Sequence, residues 1–464
     1  MMFQQPTTNN NNNKLEIMSC NFYKLRYIFI HLTYLLYRMQ IFNLFVYLSM
    51  NTMSEFRVRA VTSFITLTSE DFLSGTKNKN PTTKSPLEKK LSKYATFLKQ
   101  TEEKLTKAGY EIQTLRIATN PFGEYLAPAS DIDTLKEQLS ELDETLKSVE
   151  IEFFALGPAT NPEEVDCCPH IVSTSHRLSC SADLNPKDMF MMGKKSAECM
   201  KTISQLDSAP HVKNGLGNFQ FCASAACKAY TPYFPAARSA SIFDSKNSLD
   251  DAIHFSLGLE NGKLAKRLLS ETKTFDNIST TFRNGMAEAL EPLTNLCKSI
   301  AANGDGNIQF EGIDTSLNPS LDSGGSVASA IEEIDIVDEF GGRGTIAVAA
   351  EITKALKSLP GITNAGYSGL MLPICEDHRL AELEISTTSL LGISSVCGVG
   401  LDTVPVSGFA SVEGLTALIL DVGSLSMKYN KSLSCRLLLC PGKKAGELTE
   451  FQSPYLCNSN ILDV

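Results

Sequence analysis

From Arg57 onward, short apolar runs rich in β-branched residues alternate with amphipathic stretches, a rhythm that restricts the chain to a parallel α/β architecture. RVRAVTSFITL (57–67) has strand periodicity, and PLEKKLSKYATFLKQTEEKLTKAG (86–109) reads as a helix with Pro near its start and Gly at its end. EIQTLRIATN (111–120), DIDTLKEQLSELDETLKSV (131–149, Asp131 as N-cap) and IEFFALGPA (151–159) repeat strand, helix, strand. Strands over 175–184, 218–227, 252–260 and 308–317 and helices over 187–206, 262–302, 326–338, 345–358, 378–395 and 412–429 lead to a last strand, SCRLLLC (434–440). Since no long Pro/Ser linker divides it, the region 53–464 reads as one large domain, either a barrel or a doubly wound sheet. In both, chemistry collects at loops following strand C-termini.

Residues 1–52 do not share this pattern. They contain no Gly, Ala or Asp, and they include the run Asn9–Asn13. Residues 27–49 are long enough to span a bilayer, but they enclose His31, Arg38 and Gln40, and a central Arg is costly in lipid. No small-residue cleavage site follows. An artefactual or disordered leader, with Met53 as the working start, therefore fits better than a signal anchor or an organelle-targeting leader. A membrane role depends on 27–49 being a true anchor.

The net charge of −10, with no basic block larger than Lys443-Lys444, excludes broad nucleic-acid binding. Thirteen cysteines scattered without regular spacing point to reduced thiols and a cytoplasmic setting. CCPHIVSTSHRLSC (167–180) gathers thiols and imidazoles but matches no metal-ligand spacing, so no metal site is assigned. GGRGTIA (341–347) has the form G-x-G-x-x-A but follows a helical stretch rather than a strand, and the glycines read as a helix–helix turn. DSGGSVASAIEEI (322–334) offers a glycine-rich entry to a helix, where free N–H groups could take an anion or simply be capped.

Several strand ends carry polar groups. YTPYFPAARS places Arg238 on a proline-stiffened loop suited to a carboxylate or phosphate. Asp314 and Ser316 end one apolar strand, and Glu376 and Asp377 end MLPICED. Lys443 and Lys444 follow the last strand. SSVCGVGLDTVPV (394–406) sets Cys397 before Gly398 and Gly400, with Asp402 beyond; the thiol reads as either reactive or buried beside a turn.

RVRAVTSF, QTLRIATNPF, YFPAARS, GIDTSLNPS, GYSGLMLPICED, SVCGVGLDTVPV and PGKKAGELTEF resemble successive blocks of the uncharacterised domain-of-unknown-function seven-one-one family (uncharacterised protein family two-ten, the "PFL family"), over nearly all of 55–464. The resemblance implies a single large α/β barrel of ten strands with surrounding helices, like that of pyruvate formate-lyase and other glycyl radical enzymes. Those enzymes pair a cysteine on a central loop with a glycine in a C-terminal R-V-x-G-[YF]-type loop. Cys397 corresponds to the first, but no such glycine loop follows it, so radical chemistry is not carried over.

The expectation is an enzyme or former enzyme acting on a small anionic metabolite. Cys397 would be its nucleophile or acid/base thiol, and Asp402, Glu376 and Asp314 its acid/base groups. Arg238, Ser316, Gly398, Gly400, Lys443 and Lys444 would hold the substrate. No cofactor is identified, and a homo-oligomer is compatible with the sequence. The alternative is a non-catalytic metabolite-binding or regulatory protein.

Overall fold

A computed structural model describes residues 55–75, 84–243, 252–304 and 306–464. The leader 1–52 and the segment 27–49 lie outside the described residues. Nine strands form one sheet: β1 (Arg57–Ile65), β2 (Leu115–Thr119), β3 (Phe153–Ala159), β4 (Leu178–Asp183), β5 (Phe221–Ala225), β6 (Ile253–Glu260), β7 (Ile308–Asp314), β8 (Gly400–Ser407) and β9 (Leu433–Cys440). Their order is β7-β6-β1-β2-β3-β4-β5-β9-β8. β1 to β5 run parallel. β6 and β9 flank them antiparallel, and β7 and β8 lie parallel to those two.

Helices Pro86–Lys107 and Ile132–Ser148 cross between the first strands. Ser85 and Asp131 cap them by accepting from the N–H groups of Glu88 and Thr134. Their leucines at helical spacing, among them Leu87, Leu91, Leu98 and Leu105, are fully buried. Among the described residues no helix is long and apolar enough to cross a membrane.

Several sequence expectations change: the helix expected over 262–302 divides into Gly262–Thr272 and Arg283–Ala302, that over 326–338 shortens to Val327–Ile331, and that over 378–395 splits into His378–Glu382 and Thr387–Ser394. The stretch 400–407 is a strand, although Pro405 argues against one. It pairs in the ladder with β9 alone, so the missing N–H faces no second strand. The sheet has nine strands in its ladder and is open, where ten in a closed barrel were expected. The segment between β7 and β8 makes only isolated bridges: Ile313 to Asn364, Leu317 to Leu370 and Pro373 to Asp402. Its loop is fixed by buried Asp314, which accepts from Tyr367 and Ser368 N–H, and a Cβ on Gly366 (φ 64°) would lie 2.2 Å from that carboxylate. A ladder cannot run through such a turn.

The sheet is strongly curled. β1 and β9 are five steps apart in the strand order, about 24 Å if the sheet were flat. Yet one side chain, Glu376, reaches Arg59 on β1 and Arg436 on β9.

Candidate functional site

The inside of that curl holds a cavity of about 810 Å³, partly continuous with solvent. Three arginines enter it from β1, β2 and β9: Arg59, Arg116 and Arg436. Each interrupts an apolar strand, in RVRAVTSFI, LRIAT and SCRLLLC. Two of the charged groups sit on β-bulges. The β1–β6 register slips between Val58 and Ala60, leaving Arg59 as the extra residue. The β8–β9 register slips between Leu401 and Val404, across Asp402 and Thr403. Bulges re-aim side chains and recur beside active sites. Thr403 is held at φ 40°, a conformation rare for a β-branched residue, and its buried Oγ1 has no hydrogen-bond partner.

The charges form a string. Arg59 Nη2 donates to Glu376 Oε2 at 2.5 Å, and Arg436 Nη2 to Glu376 Oε1 at 3.0 Å. Arg436 Nε donates to Asp402 Oδ1 at 2.6 Å while its guanidinium lies over the Phe219 ring, 4.7 Å from the centroid. Glu376 is spent on two arginines. Asp402 Oδ2 has no hydrogen bond among the described residues, and the side chain is 16% exposed. Burial holds the Asp402 carboxyl above the usual carboxylate range; Arg436 pulls it down and Glu376 pushes it up.

Arg116 is different. It is 8% exposed and makes no salt bridge among the described residues, although Glu376 lies near enough to act on its charge. Its guanidinium lies over the rings of Phe153 and Phe234, 5.2 and 5.1 Å from their centroids, and among the described residues only Nε is bonded, to Thr114 Oγ1 at 2.8 Å. Burial, with the nearby Arg59, pushes it down to about 9, still cationic at neutral pH. A buried guanidinium at a cavity wall with free N–H groups has the chemistry to take an oxyanion.

The sequence-derived candidates divide. Glu376 and Asp402 meet in this cavity. Asp314 is fully buried and satisfied by Ser316 N and Oγ and by Tyr367 and Ser368 N–H; Ser316 belongs to the same knot. Arg238 pairs with Asp183 at 2.8 Å. Lys443 donates to Leu448 O and pairs with Glu450, and the Lys444 N–H donates to Glu447, so neither lysine lines the cavity. The N–H groups opening helix Val327–Ile331 are already taken by Asp377 Oδ2, at 2.8 Å from Val327 and 3.3 Å from Ala328.

Cys397 is 0% exposed, and burial raises its thiol. Gly398 follows it in the turn, and Gly400 (φ 95°) lies so close to β9 that a Cβ would sit 2.3 Å from Ser434 O. Of the twelve described cysteines only Cys457 is partly exposed. Brief native alkylation with iodoacetamide is therefore expected to modify Cys457 well before Cys397; peptide mapping that finds Cys397 first would contradict this burial.

The model of the family described as "Uncharacterised ACR (DUF711)" matches residues 49–453. The chain belongs to this family. It is similar to the UPF0210 protein of Oenococcus oeni, 25% identical over 364 residues, covering 74% of this chain and 77% of the relative. It is likewise similar to the UPF0210 protein of Caldicellulosiruptor saccharolyticus, 26% identical over 383 residues (79% and 82% of the two chains). That of Limosilactobacillus reuteri is 34% identical over 152 residues, or 31% of this chain and 34% of the relative. The DUF711 match spans every residue of the cavity except Tyr455.

Proposed function

We propose that the protein is an enzyme that holds a small carboxylate- or phosphate-bearing metabolite on Arg116 and moves a proton through Asp402. The observation that carries this reading is Arg116, a buried guanidinium at the wall of a cavity with no salt-bridge partner among the described residues. Its fork can bind an oxyanion through two parallel N–H bonds. Phe153 and Phe234 flank the guanidinium and shield it from water, which strengthens such a contact. Asp402 is fixed by Arg436 through one oxygen and turns the other to the cavity, as a general base must.

The same reading takes the segment 364–373 as a tenth strand that closes the sheet into a barrel of the pyruvate formate-lyase type, supported by its bridges toward β7 and β8. It assigns no radical step, because the glycine loop such chemistry needs is missing from the sequence. The twelve described cysteines are free thiols, which supports a reducing, cytoplasmic setting.

A thermal-shift screen of small carboxylates and phosphate monoesters is expected to yield stabilising compounds, and a turnover assay on those identifies the substrate. The acid limb of its pH–rate profile should lie above the ordinary aspartate value of about 3.9. Activity needs Asp402 ionised, so the rate falls as pH drops through its raised pKa. Asp402→Asn should lower kcat by at least about 100-fold and remove that limb. Compounds that bind wild type but are never altered would favour a binding protein instead.

A further inference from the structure

A second cavity, of about 990 Å³, opens at the other end of the same strands. Phe219 and Gln220, just before β5, enter the first cavity, whereas Ala226 and Lys228, just after it, enter the second. On β9 the division is the same: Arg436 faces the first, and Ser432, one residue before the strand, faces the second.

This second cavity is cationic. Lys228, Lys357 and Lys431 line it, against a single carboxylate, Glu311. Glu311 is the extra residue of a bulge between β6 and β7, and His254 Nδ1 meets its Oε1 at 2.6 Å. His254 in turn stacks on Tyr230, with ring centroids 4.6 Å apart. One oxygen of the carboxylate is thus engaged by His254 rather than by a lysine. Lys431 uses all three donors on main-chain carbonyls, those of Ser394, Ser395 and Cys397, at 2.5, 2.7 and 2.7 Å. It contributes fixed positive charge and no free donor. Lys357 lies against the same turn, its Nζ 3.5 Å from where a Cβ on Gly398 would stand. Two ammonium groups therefore flank one peptide without a carboxylate between them. Burial pushes Lys431 down to about 8, with Lys357 adding to the fall and Cys397 opposing it.

Neither Lys228 nor Lys357 has a side-chain partner among the described residues, and both are exposed to the cavity. The backbone around them is unusual too. Ala226, Tyr230, Ser368 and Asn430, all in the left-handed region at φ 47–67°, line this one cavity. Such conformations concentrate at ligand sites.

We propose that this cavity binds the phosphate group of a small metabolite, held by Lys228 and Lys357 in the field of Lys431. Phosphate is favoured over carboxylate because the charge in excess is more than one unit. Lysine also supplies rotatable point charges suited to a tetrahedral dianion rather than a planar fork.

Calorimetric titration of the full chain with inorganic phosphate at constant ionic strength tests this. Arg116→Met, which removes the anion site of the first cavity, is expected to retain saturable binding, and adding Lys228→Gln and Lys357→Gln to it weakens that binding at least about tenfold. Both lysines are exposed and unpaired, so folding is preserved; the single variants, measured in parallel, should each show part of the loss. Undiminished affinity after both lysines are replaced in the Arg116→Met protein, or no saturable binding by Arg116→Met itself, would each overturn the proposal.

Discussion

Replacing Arg436 by methionine is expected to destabilise the protein by about 3–5 kcal/mol, the cost of leaving buried carboxylates without their cation. Arg436 is 7% exposed and serves two acids at once, Asp402 through Nε and Glu376 through Nη2. Methionine fills comparable volume and keeps an apolar contact with Phe219, so the loss is electrostatic rather than a cavity effect. The sign of its pH dependence follows. Without the guanidinium, the Asp402 carboxyl, already raised by burial, rises further. A carboxyl whose folded pKa lies above its unfolded value contributes stability at low pH and loses it as pH rises through the folded value. The deficit of Arg436→Met should therefore be largest near neutrality and shrink as pH falls. Urea denaturation of both proteins at two pH values reads this directly; a loss below about 1 kcal/mol, typical of a surface pair, would mean the string is not buried as described.

Arg116→Met should behave in the opposite way. It removes a buried charge that has no salt-bridge partner among the described residues, relieving a penalty of about 1–3 kcal/mol. It also gives up stacking on Phe153 and Phe234, worth about 0.5–1 kcal/mol for each ring. The melting temperature should stay level or rise, while affinity for the anionic ligand falls by at least about 100-fold, the cost of a lost charged hydrogen-bond pair. Arg116→Lys should recover little of this, because an ammonium cannot reproduce the planar fork. A residue kept at a cost to stability is one kept for binding. The contrast between Arg116 and Arg436, two strand arginines in one cavity, separates the binding cation from the one that holds the site together.

Most of the strand and helix rhythm was legible in the sequence, because buried parallel strands must be apolar along their length and crossover helices must be amphipathic. The helix Val412–Tyr429 and strands such as Ile253–Glu260 fall where periodicity places them. Strand β8 was hidden by Pro405, which only an edge position tolerates. The site was half legible. Glu376 and Asp402 stood out as charges at strand ends, but Asp314, Arg238 and Lys443 have the same local signature and are engaged elsewhere. Local sequence does not record which strand ends the curl brings together. Arg59, Arg116 and Arg436 left a signal that went unused: an arginine inside an otherwise apolar buried strand must point at a partner or a ligand. Cys397, in the most conspicuous loop of the sequence, lies under the surface with its carbonyl tied to Lys431.

The most direct test of the account is a calorimetric titration of wild type and Arg116→Met with the most stabilising small carboxylate or phosphate monoester from the thermal screen, alongside the melting temperature of each protein. The account predicts saturable binding by wild type, and its loss in a variant that melts no lower. Equal binding by the two proteins, or an Arg116→Met variant that loses binding only because it unfolds, would contradict it.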